Sequence, residues 1–348
     1  MAKKSNPIRD ELEYIFGDEN VSSAGKNKLL LTDTILNESL SVNINTFNLS
    51  PKVTVFKDCG IWVKNKAVFL LNETLGTSID IPDFSIGEVK ASIIECPPTL
   101  YLSIKNEISH TAGLTGEEFM ESATCILLEN VELKVALEYL DKALFKIGHC
   151  GKWETKHWPR VGNQESRNHE YFDLEKDESY NPDWFEDSNF KHVHPINSFN
   201  AAKSTDSPTS KFISYYRVLE FYWDIAVDEE LLSIKEKKIK NEDYLKKIKS
   251  TTNLNEKASL KLLIERLVDQ DALDELNDIV LEGGKYDRAT LSTNIYKDRC
   301  RLVHAKSSRI DDIGFSERFV GEMVDWDLLK CVEWLALRAI EVWGVEEK

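Results

Sequence analysis

Short runs of alternating apolar and polar residues dominate the first third of the chain. Alternation with a period of two is typical of strands that have one face in a core. Turn-like sequences, such as 58–60 and 64–66, separate consecutive runs and favour antiparallel neighbours. The pattern predicts a mostly antiparallel sheet within 28–128, with strands at 41–47, 52–56, 60–63, 67–71, 89–95 and 99–104.

A helical period replaces this alternation at about residue 131. Apolar residues recur every three or four positions from Val131 to Ile147, and Gly148 is a natural end, so we predict a helix over 131–147. The following stretch, 149–207, is rich in Trp, His, Pro, Asn and Asp and predicts a long irregular segment. Residues 201–208 are the best candidate for a linker.

Helical patterns fill the rest of the chain after Pro208. Aromatic and apolar residues lie nearly all around 210–226, which predicts a buried central helix. Further helices are predicted at 229–249, 255–281, 290–305 and 325–343. The fold class is therefore α+β: a polar N-terminal segment (1–27), a β-rich domain (28–200) with one helix and a long Trp/His-rich loop, and an all-α bundle (208–348).

Composition narrows the function classes. The chain has 348 residues, 42% of them hydrophobic and 30% charged, which excludes a wholly disordered protein. The net charge of −16 gives no broad footprint for nucleic acid, although a local basic patch is compatible with it. Six scattered cysteines without a C-x-x-C pair fit a reducing compartment. With neither a signal peptide nor a membrane span in evidence, we expect a cytoplasmic protein without a membrane partner.

The absence of several motifs leaves nucleotide hydrolases, dehydrogenases, zincins and α/β-hydrolases without support. Phosphate-cradling glycine loops, H-E-x-x-H and G-x-S-x-G do not occur. Cysteine and histidine side chains in the irregular segment are potential zinc ligands, but their spacing matches no standard site. These potential zinc ligands are His149, Cys150, His157, His169, His192 and His194. Because their spacing is not that of a zinc site, we expect no metal and no cofactor.

The segment from Asn294 to Lys306 holds the most concentrated candidate chemistry. Arg299 and His304 are five residues apart, about 500° around an ideal helix, so they are not stacked neighbours. Leu302 and Val303 lie between them, and we expect both to anchor the helix in the core. By itself, this spacing is also typical of cations at a helix C-terminus.

The same segment resembles the signature of the HEPN superfamily, an arginine followed four to six residues later by a histidine on a late helix. An upstream run, 212–222, resembles the first helix of that family, with Glu220 at a position that is often acidic. The resemblance covers about 208–345 and implies a helical bundle that forms homodimers. The Apea-like subgroup is the most similar, and its pattern is matched by Tyr296, Arg299, Leu302, Val303, His304 and Ala305.

The resemblance implies a metal-independent endoribonuclease. His304 would act as general base or acid on the ribose 2′-hydroxyl, since an imidazole titrates near neutral pH. Arg299 would hold the scissile phosphate and stabilise its developing charge. The products would be a cyclic phosphate and a 5′-hydroxyl, and DNA would be spared because it lacks the attacking group.

Neighbouring residues have two interpretations each. Glu220 would orient Arg299 or His304, or it is an exposed helix residue. Tyr296 would contact Arg299 or a base, or it packs in the core. Cys300 stands where active members commonly have Asn, Asp or His. A basic patch beside the motif would bind the RNA backbone, or it is a solvated helix end; its residues are Arg301, Lys306 and Arg309.

The leading hypothesis is an RNase of a bacterial toxin or anti-phage defence system, controlled by an N-terminal sensing or regulatory domain. Its expected partners are RNA, a second copy of the chain, and an antitoxin or a phage-derived trigger. The alternative is a catalytically silent HEPN module that serves as an RNA- or protein-binding adaptor, which Cys300 and the acidic charge favour. A third possibility is an accessory protein in metabolism.

Overall fold

A computed structural model shows an α+β protein, as the sequence predicts, divided into two compact units. The first holds the described residues between 7 and 147, and the second those between 189 and 346. Only the backbone is described at 106–108, 241–242 and 304–308. The structure describes residues 7–46, 48–57, 60–71, 83–108, 119–120, 123–147, 189–205, 207–236, 241–252, 254–277, 286–308 and 324–346.

The first unit begins with a helix, which lies within the polar segment 1–27 and was not predicted from the sequence. Helix α1 spans Pro7–Phe16 and buries Leu12, Ile15 and Phe16. These three residues recur at the three- and four-residue spacing of one helix face, a signal weakened in the sequence by the charged residues around them. A 3₁₀ turn, Asp18–Asn20, connects α1 to the first strand.

Two antiparallel sheets make up most of the first unit, which confirms the predicted sheet type. One sheet has the strand order β1-β2-β3-β4, and the other has the order β5-β6-β7-β10-β9-β8. The strands are β1 (Val21–Gly25), β2 (Lys28–Asp33), β3 (Glu38–Asn43), β4 (Asn48–Ser50), β5 (Thr54–Phe56), β6 (Gly60–Val63), β7 (Lys66–Leu70), β8 (Phe84–Ile86), β9 (Val89–Glu95) and β10 (Thr124–Glu129).

The central strand β10 is buried on both faces of the larger sheet. Cys125 and Leu127 face one core, which the smaller sheet and α1 also line. Ile126 and Leu128 face a second core, covered by helix α3 (Ala136–Phe145). This arrangement explains the nearly continuous apolar run of β10, since alternation is lost when neither face meets water.

The strand predicted at 99–104 is a helix, which corrects the sequence analysis. Helix α2 spans Pro98–Ile108, with a proline at the position where its missing N–H costs nothing. The buried Asp33 carboxylate, at the end of β2, accepts the Thr99 N–H at 2.9 Å and the Leu36 N–H at 3.0 Å. A short apolar run does not distinguish a strand from a buried helix, and here the cap from a distant strand decides.

The second unit is a bundle of helices around α5, a single helix of 29 residues. It buries the aromatic residues Phe212, Tyr215, Tyr216 and Tyr222, as expected for a central helix. Each of α4, α6, α7, α9 and α10 packs against it. The helices are α4 (Val193–Lys203), α5 (Pro208–Glu236), α6 (Asn241–Thr252), α7 (Glu256–Leu267), α8 (Gln270–Glu275), α9 (Arg288–Ser308) and α10 (Trp326–Ala339).

Helix α4 belongs to this bundle, so the linker predicted at 201–208 and the domain boundary at 208 are wrong. Its residues Ile196, Phe199 and Ala202 are buried, and the Phe199 ring lies 5.1 Å from the Tyr215 ring. The Pro and Asn content of this short helix gave it the composition of a loop. The second unit therefore starts before α4 rather than after it.

The end of the chain closes the bundle. Phe190 and Val345 form an antiparallel bridge, and the Lys191 N–H donates to the Gly344 carbonyl at 2.8 Å. A π-helical turn, Ile340–Gly344, precedes this bridge and places the Trp343 ring 5.9 Å from the Tyr222 ring. In the part of the chain that the structure describes, no helix combines the length and apolar character needed to cross a membrane.

Candidate functional site

Helix α9 carries the segment that the sequence analysis singled out. Asp287 precedes it and accepts the Thr290 N–H at 2.6 Å, which satisfies one donor of the first turn. Leu291, Ile295 and Leu302 are buried and fix the inner face of the helix. Leu302 therefore anchors α9 as expected, whereas the expectation for Val303 is wrong, because 40% of its surface is exposed.

Arg299 lies on α9 between two carboxylates from neighbouring helices. Its Nη2 is 2.8 Å from Glu256 Oε1 and 3.7 Å from Glu220 Oε1. The guanidinium carbon lies 5.8 Å from the centre of the Tyr216 ring, within the range of a cation–π contact. About a quarter of the side chain (23%) remains exposed, so the guanidinium is oriented by the protein and still reaches solvent.

Glu256 is placed by the start of α7. Asn255 caps this helix by accepting the Ala258 N–H at 3.0 Å, so Glu256 is the first residue of the helix. An acidic residue is favoured there by the helix dipole. The Tyr216 hydroxyl donates to Glu256 Oε1 at 3.3 Å, which ties this carboxylate to α5 as well as to Arg299. Three helices therefore meet at one guanidinium.

The charges of this cluster interact strongly. Burial raises the pKa of Glu220, and the Glu256 carboxylate adds to the effect, while Arg299 opposes it. Burial also disfavours the charged form of Arg299, but Glu256, Tyr216 and Glu220 outweigh it and raise the pKa of the guanidinium. The arginine is thus fully cationic, and the two carboxylates compete for it.

Tyr296 and Cys300 form a second contact on the same helix. Both side chains are partly exposed, and a hydrogen bond with the Cys300 side chain raises the pKa of the Tyr296 phenol. Tyr296 is therefore not a buried core residue. Cys300 contacts Tyr296, one turn away, and the charge of Arg299 acts on both side chains.

The other candidate residues divide into two groups. Arg301 Nη2 lies 3.1 Å from Asp298 Oδ2, and 42% of the Arg301 side chain is exposed. The backbone of His304 and Lys306 continues α9, but their side chains lie outside the described residues, and so does Arg309. The geometry of the Arg299–His304 pair therefore stays a prediction.

Comparisons with known proteins add no family to this geometry. The scan against protein-family models, the search of curated proteins and the search of solved structures found no match to the chain. The site is therefore interpreted from its own residues and from the motif.

Two of the potential zinc ligands lie within the described residues. His192 and His194 stand at the start of α4, with ring centres 5.1 Å and 6.1 Å from the centre of the Phe221 ring. Among the described residues, His, Cys, Asp and Glu nowhere form a group of three that would hold a metal ion. The other four potential ligands, His149, Cys150, His157 and His169, lie outside the described residues.

The sequence predicts Arg299 and Glu220 as site residues, but it predicts neither Tyr216 nor Glu256. Tyr216 lies one turn before Glu220 on α5 and resembles the other buried aromatic residues of that helix. Glu256 has a recognisable local signal, an acidic residue directly after the capping Asn255. That signal predicts a helix start, but no local pattern predicts that the helix starts beside Arg299.

Proposed function

We propose that the second unit is a metal-independent endoribonuclease of the HEPN type, in which Arg299 binds the scissile phosphate and His304 transfers protons. The observation that carries this proposal is the environment of Arg299. A permanently charged, partly exposed guanidinium is held by side chains from two other helices, as a preorganised phosphate ligand requires. The motif on α9 supplies the histidine.

The reaction would be an internal transfer within RNA. His304 takes the proton of a ribose 2′-hydroxyl, and the 2′-oxygen attacks the adjacent phosphorus. The bond from phosphorus to the 5′-oxygen breaks, and an imidazolium gives that oxygen a proton. Arg299 neutralises the charge that develops on the phosphoryl oxygens. The products are a 2′,3′-cyclic phosphate and a 5′-hydroxyl.

Arg299 has the capacity to bind phosphate while it remains paired. Both carboxylate contacts are made through Nη2, whereas a guanidinium carries five N–H donors in a planar fork. The carboxylates orient the fork, and they also reduce the net positive charge that a phosphate meets. We infer that Glu220 and Glu256 orient the Arg299 guanidinium at the expense of its affinity for phosphate. RNA binding therefore relies on contacts beyond Arg299.

The same observation supports a second candidate function, a catalytically silent adaptor that binds RNA or protein. Two carboxylates share one arginine, and Cys300 replaces the polar residue that commonly follows it in active HEPN members. In such an adaptor the cluster would mainly join α5, α7 and α9. For both candidate functions, the N-terminal unit would be a sensing or regulatory domain for the second unit. A role in a toxin or anti-phage defence system applies only to the endoribonuclease.

Cleavage of RNA by purified protein tests the proposal. The wild type is compared with Arg299→Ala and His304→Ala on total RNA and tRNA, with EDTA present. Loss of a proton-transfer group typically costs 10²–10⁴-fold in rate, and loss of a donor that stabilises developing charge costs about 10²–10³-fold, so we expect at least about a 100-fold decrease in each variant. The wild-type products should carry cyclic-phosphate ends.

Arg266→Ala is the matched control. Arg266 is also partly exposed and also pairs with a glutamate, Glu230, but it lies on α7 away from the motif. We expect it to cleave like the wild type. Cleavage that survives both Arg299→Ala and His304→Ala would contradict the proposal, and a folded wild type that binds RNA without cutting it would favour the adaptor.

A further inference from the structure

A cluster of three rings lies beside the Arg299 site without taking part in it. His192 and His194, at the start of α4, pack against Phe221 on α5, with the ring planes at 57° and 59°. His194 is exposed, whereas His192 and Phe221 are half-buried. The cluster thus presents aromatic surface to solvent from two helices.

The cluster is continuous with the Arg299 site along one face of α5. Phe221 directly follows Glu220, which contacts Arg299, and Arg217 lies one turn before Phe221. On a helix, positions 217, 220, 221 and 224 fall within an arc of about 100°. The charge of Arg217 opposes the rise in the pKa of Glu220, so it acts on the same carboxylate that contacts Arg299.

The ring cluster and the charges around it suit a single-stranded nucleic acid, in which flat bases alternate with negatively charged phosphates. Lys191 and Arg217 are exposed cations beside the cluster, and Asp224 is an exposed acid on the same face of α5. Burial lowers the pKa of His192, and the charge of Lys191 lowers it further, so the neutral form of this ring is favoured. A neutral imidazole and a phenyl ring offer π-faces for stacking, and the cations remain available for phosphate.

We propose that His192, His194 and Phe221 form a stacking site for a base of single-stranded RNA. Arg217 would contact a phosphate of the RNA backbone next to the phosphate that Arg299 binds. The proposal rests on the proposed function for its ligand, since it extends the same RNA path. It requires only that the protein binds RNA and does not depend on cleavage.

Binding of an uncleavable oligonucleotide tests the stacking site. Fluorescence anisotropy at one fixed salt concentration is measured with a labelled 2′-O-methyl oligouridylate and with an abasic oligomer of the same length. Stacking on an aromatic residue contributes about 1–3 kcal/mol per base. We therefore expect Phe221→Leu to weaken binding of the oligouridylate by about 5- to 150-fold and to leave binding of the abasic oligomer unchanged.

His194→Ala is a second variant that spares the core, because this ring is exposed, and we expect a loss in the same direction. Tyr244→Leu is the matched control, an aromatic residue of the same unit on α6, and we expect it to bind like the wild type. Circular dichroism verifies that each variant is folded.

Three outcomes would overturn the stacking site: no binding of the oligouridylate by the wild type, wild-type affinity in both ring variants, or an equal loss for the abasic oligomer. Cleavage distinguishes this failure from that of the proposed function. A wild type that cuts RNA but tolerates the ring variants refutes the stacking site alone. Ring-dependent binding without cleavage refutes the nuclease alone.

Discussion

The Arg299 guanidinium is held in place by two carboxylates, those of Glu220 and Glu256. A carboxylate gains from the nearby cation, but partial burial and the second carboxylate act against ionisation. At Glu220 the unfavourable effects prevail, and the pKa is raised. Glu256 makes the shorter contact, 2.8 Å against 3.7 Å, and has the Tyr216 hydroxyl as an additional partner. Glu220 is therefore the more weakly held of the two.

Glu220→Gln should raise the thermal stability near pH 7 and lose this effect near pH 3. A pKa raised by folding means that the folded state binds the proton more tightly, so ionised Glu220 costs stability above the ordinary pKa of about 4.3. One third of the side chain is exposed, which keeps the effect small. We expect an increase of about 1–2 °C in Tm at pH 7, measured by calorimetry.

Glu256→Gln is the control for this change, because it removes the closer partner of Arg299 and should lower Tm at pH 7. A lower Tm for Glu220→Gln at pH 7 would show that attraction to Arg299 outweighs the burial of Glu220. The comparison at two pH values separates charge from side-chain packing, which the substitution changes equally at both.

The residues of this cluster differ in how far the sequence predicts them. Arg299 and Glu220 stand out through the motif and through an acidic residue on an apolar helix. Glu256 is 36 residues from Glu220 along the chain and joins it only through the packing of α7 on α5. Such a contact depends on tertiary structure, and no single-sequence period contains it.

Helix α2 shows how one distant side chain determines an element. Its apolar residues suit a strand as well as a helix, and the pattern by itself predicts a strand. Asp33, on β2, is fully buried and accepts two backbone N–H groups, one of them in the first turn of α2. In the helix, the Thr99 N–H donates to the Asp33 carboxylate. In a strand, the same N–H would need an acceptor on a neighbouring strand.

Asp33→Ala should lower the free energy of unfolding of the first unit by about 2–6 kcal/mol. Two buried N–H groups would lose their acceptors, and each unsatisfied group costs about 1–3 kcal/mol. Urea unfolding, monitored by circular dichroism, gives the change. Asp33→Asn should fall between Ala and the wild type, because the amide retains one acceptor oxygen.

Asp325→Ala provides the comparison in the second unit. Asp325 is exposed and caps α10 by accepting the N–H groups of Asp327 at 3.0 Å and Leu328 at 3.3 Å. Water replaces an exposed cap, so we expect a cost of about 1 kcal/mol. If Asp33→Ala lowers the free energy of unfolding no more than Asp325→Ala does, the buried Asp33 cap does not determine the start of α2.

At the scale of the whole molecule, the fold class follows from the sequence and the boundary between the units does not. A change from period two to a helical period is visible along the chain, and both halves have apolar residues for a core. Helix α4 lacks a strong period because Pro195, Asn197 and Asn200 interrupt it. Its membership of the bundle is a matter of packing against α5.

Two fragments of the second unit test this boundary. A fragment of residues 189–348 should unfold cooperatively with a helical spectrum, since the buried residues of α4 and α5 are all present. A fragment of residues 208–348 lacks Ile196 and Phe199 and exposes the surface of α5 beneath them. We expect it to be less stable by about 3 kcal/mol or more, judged from urea unfolding. Equal stability of the two fragments would restore the boundary at 208.

The buried tyrosines of α5 should make the state of the bundle visible in ultraviolet absorbance. Burial raises the pKa of Tyr215, Tyr216 and Tyr222, whereas an exposed phenol ionises near pH 10. In an alkaline titration the phenolate absorbance of the exposed tyrosines therefore develops first. The three buried α5 phenols resist ionisation while the bundle stays closed, so opening of the bundle adds a late rise in ultraviolet absorbance that needs no attached dye.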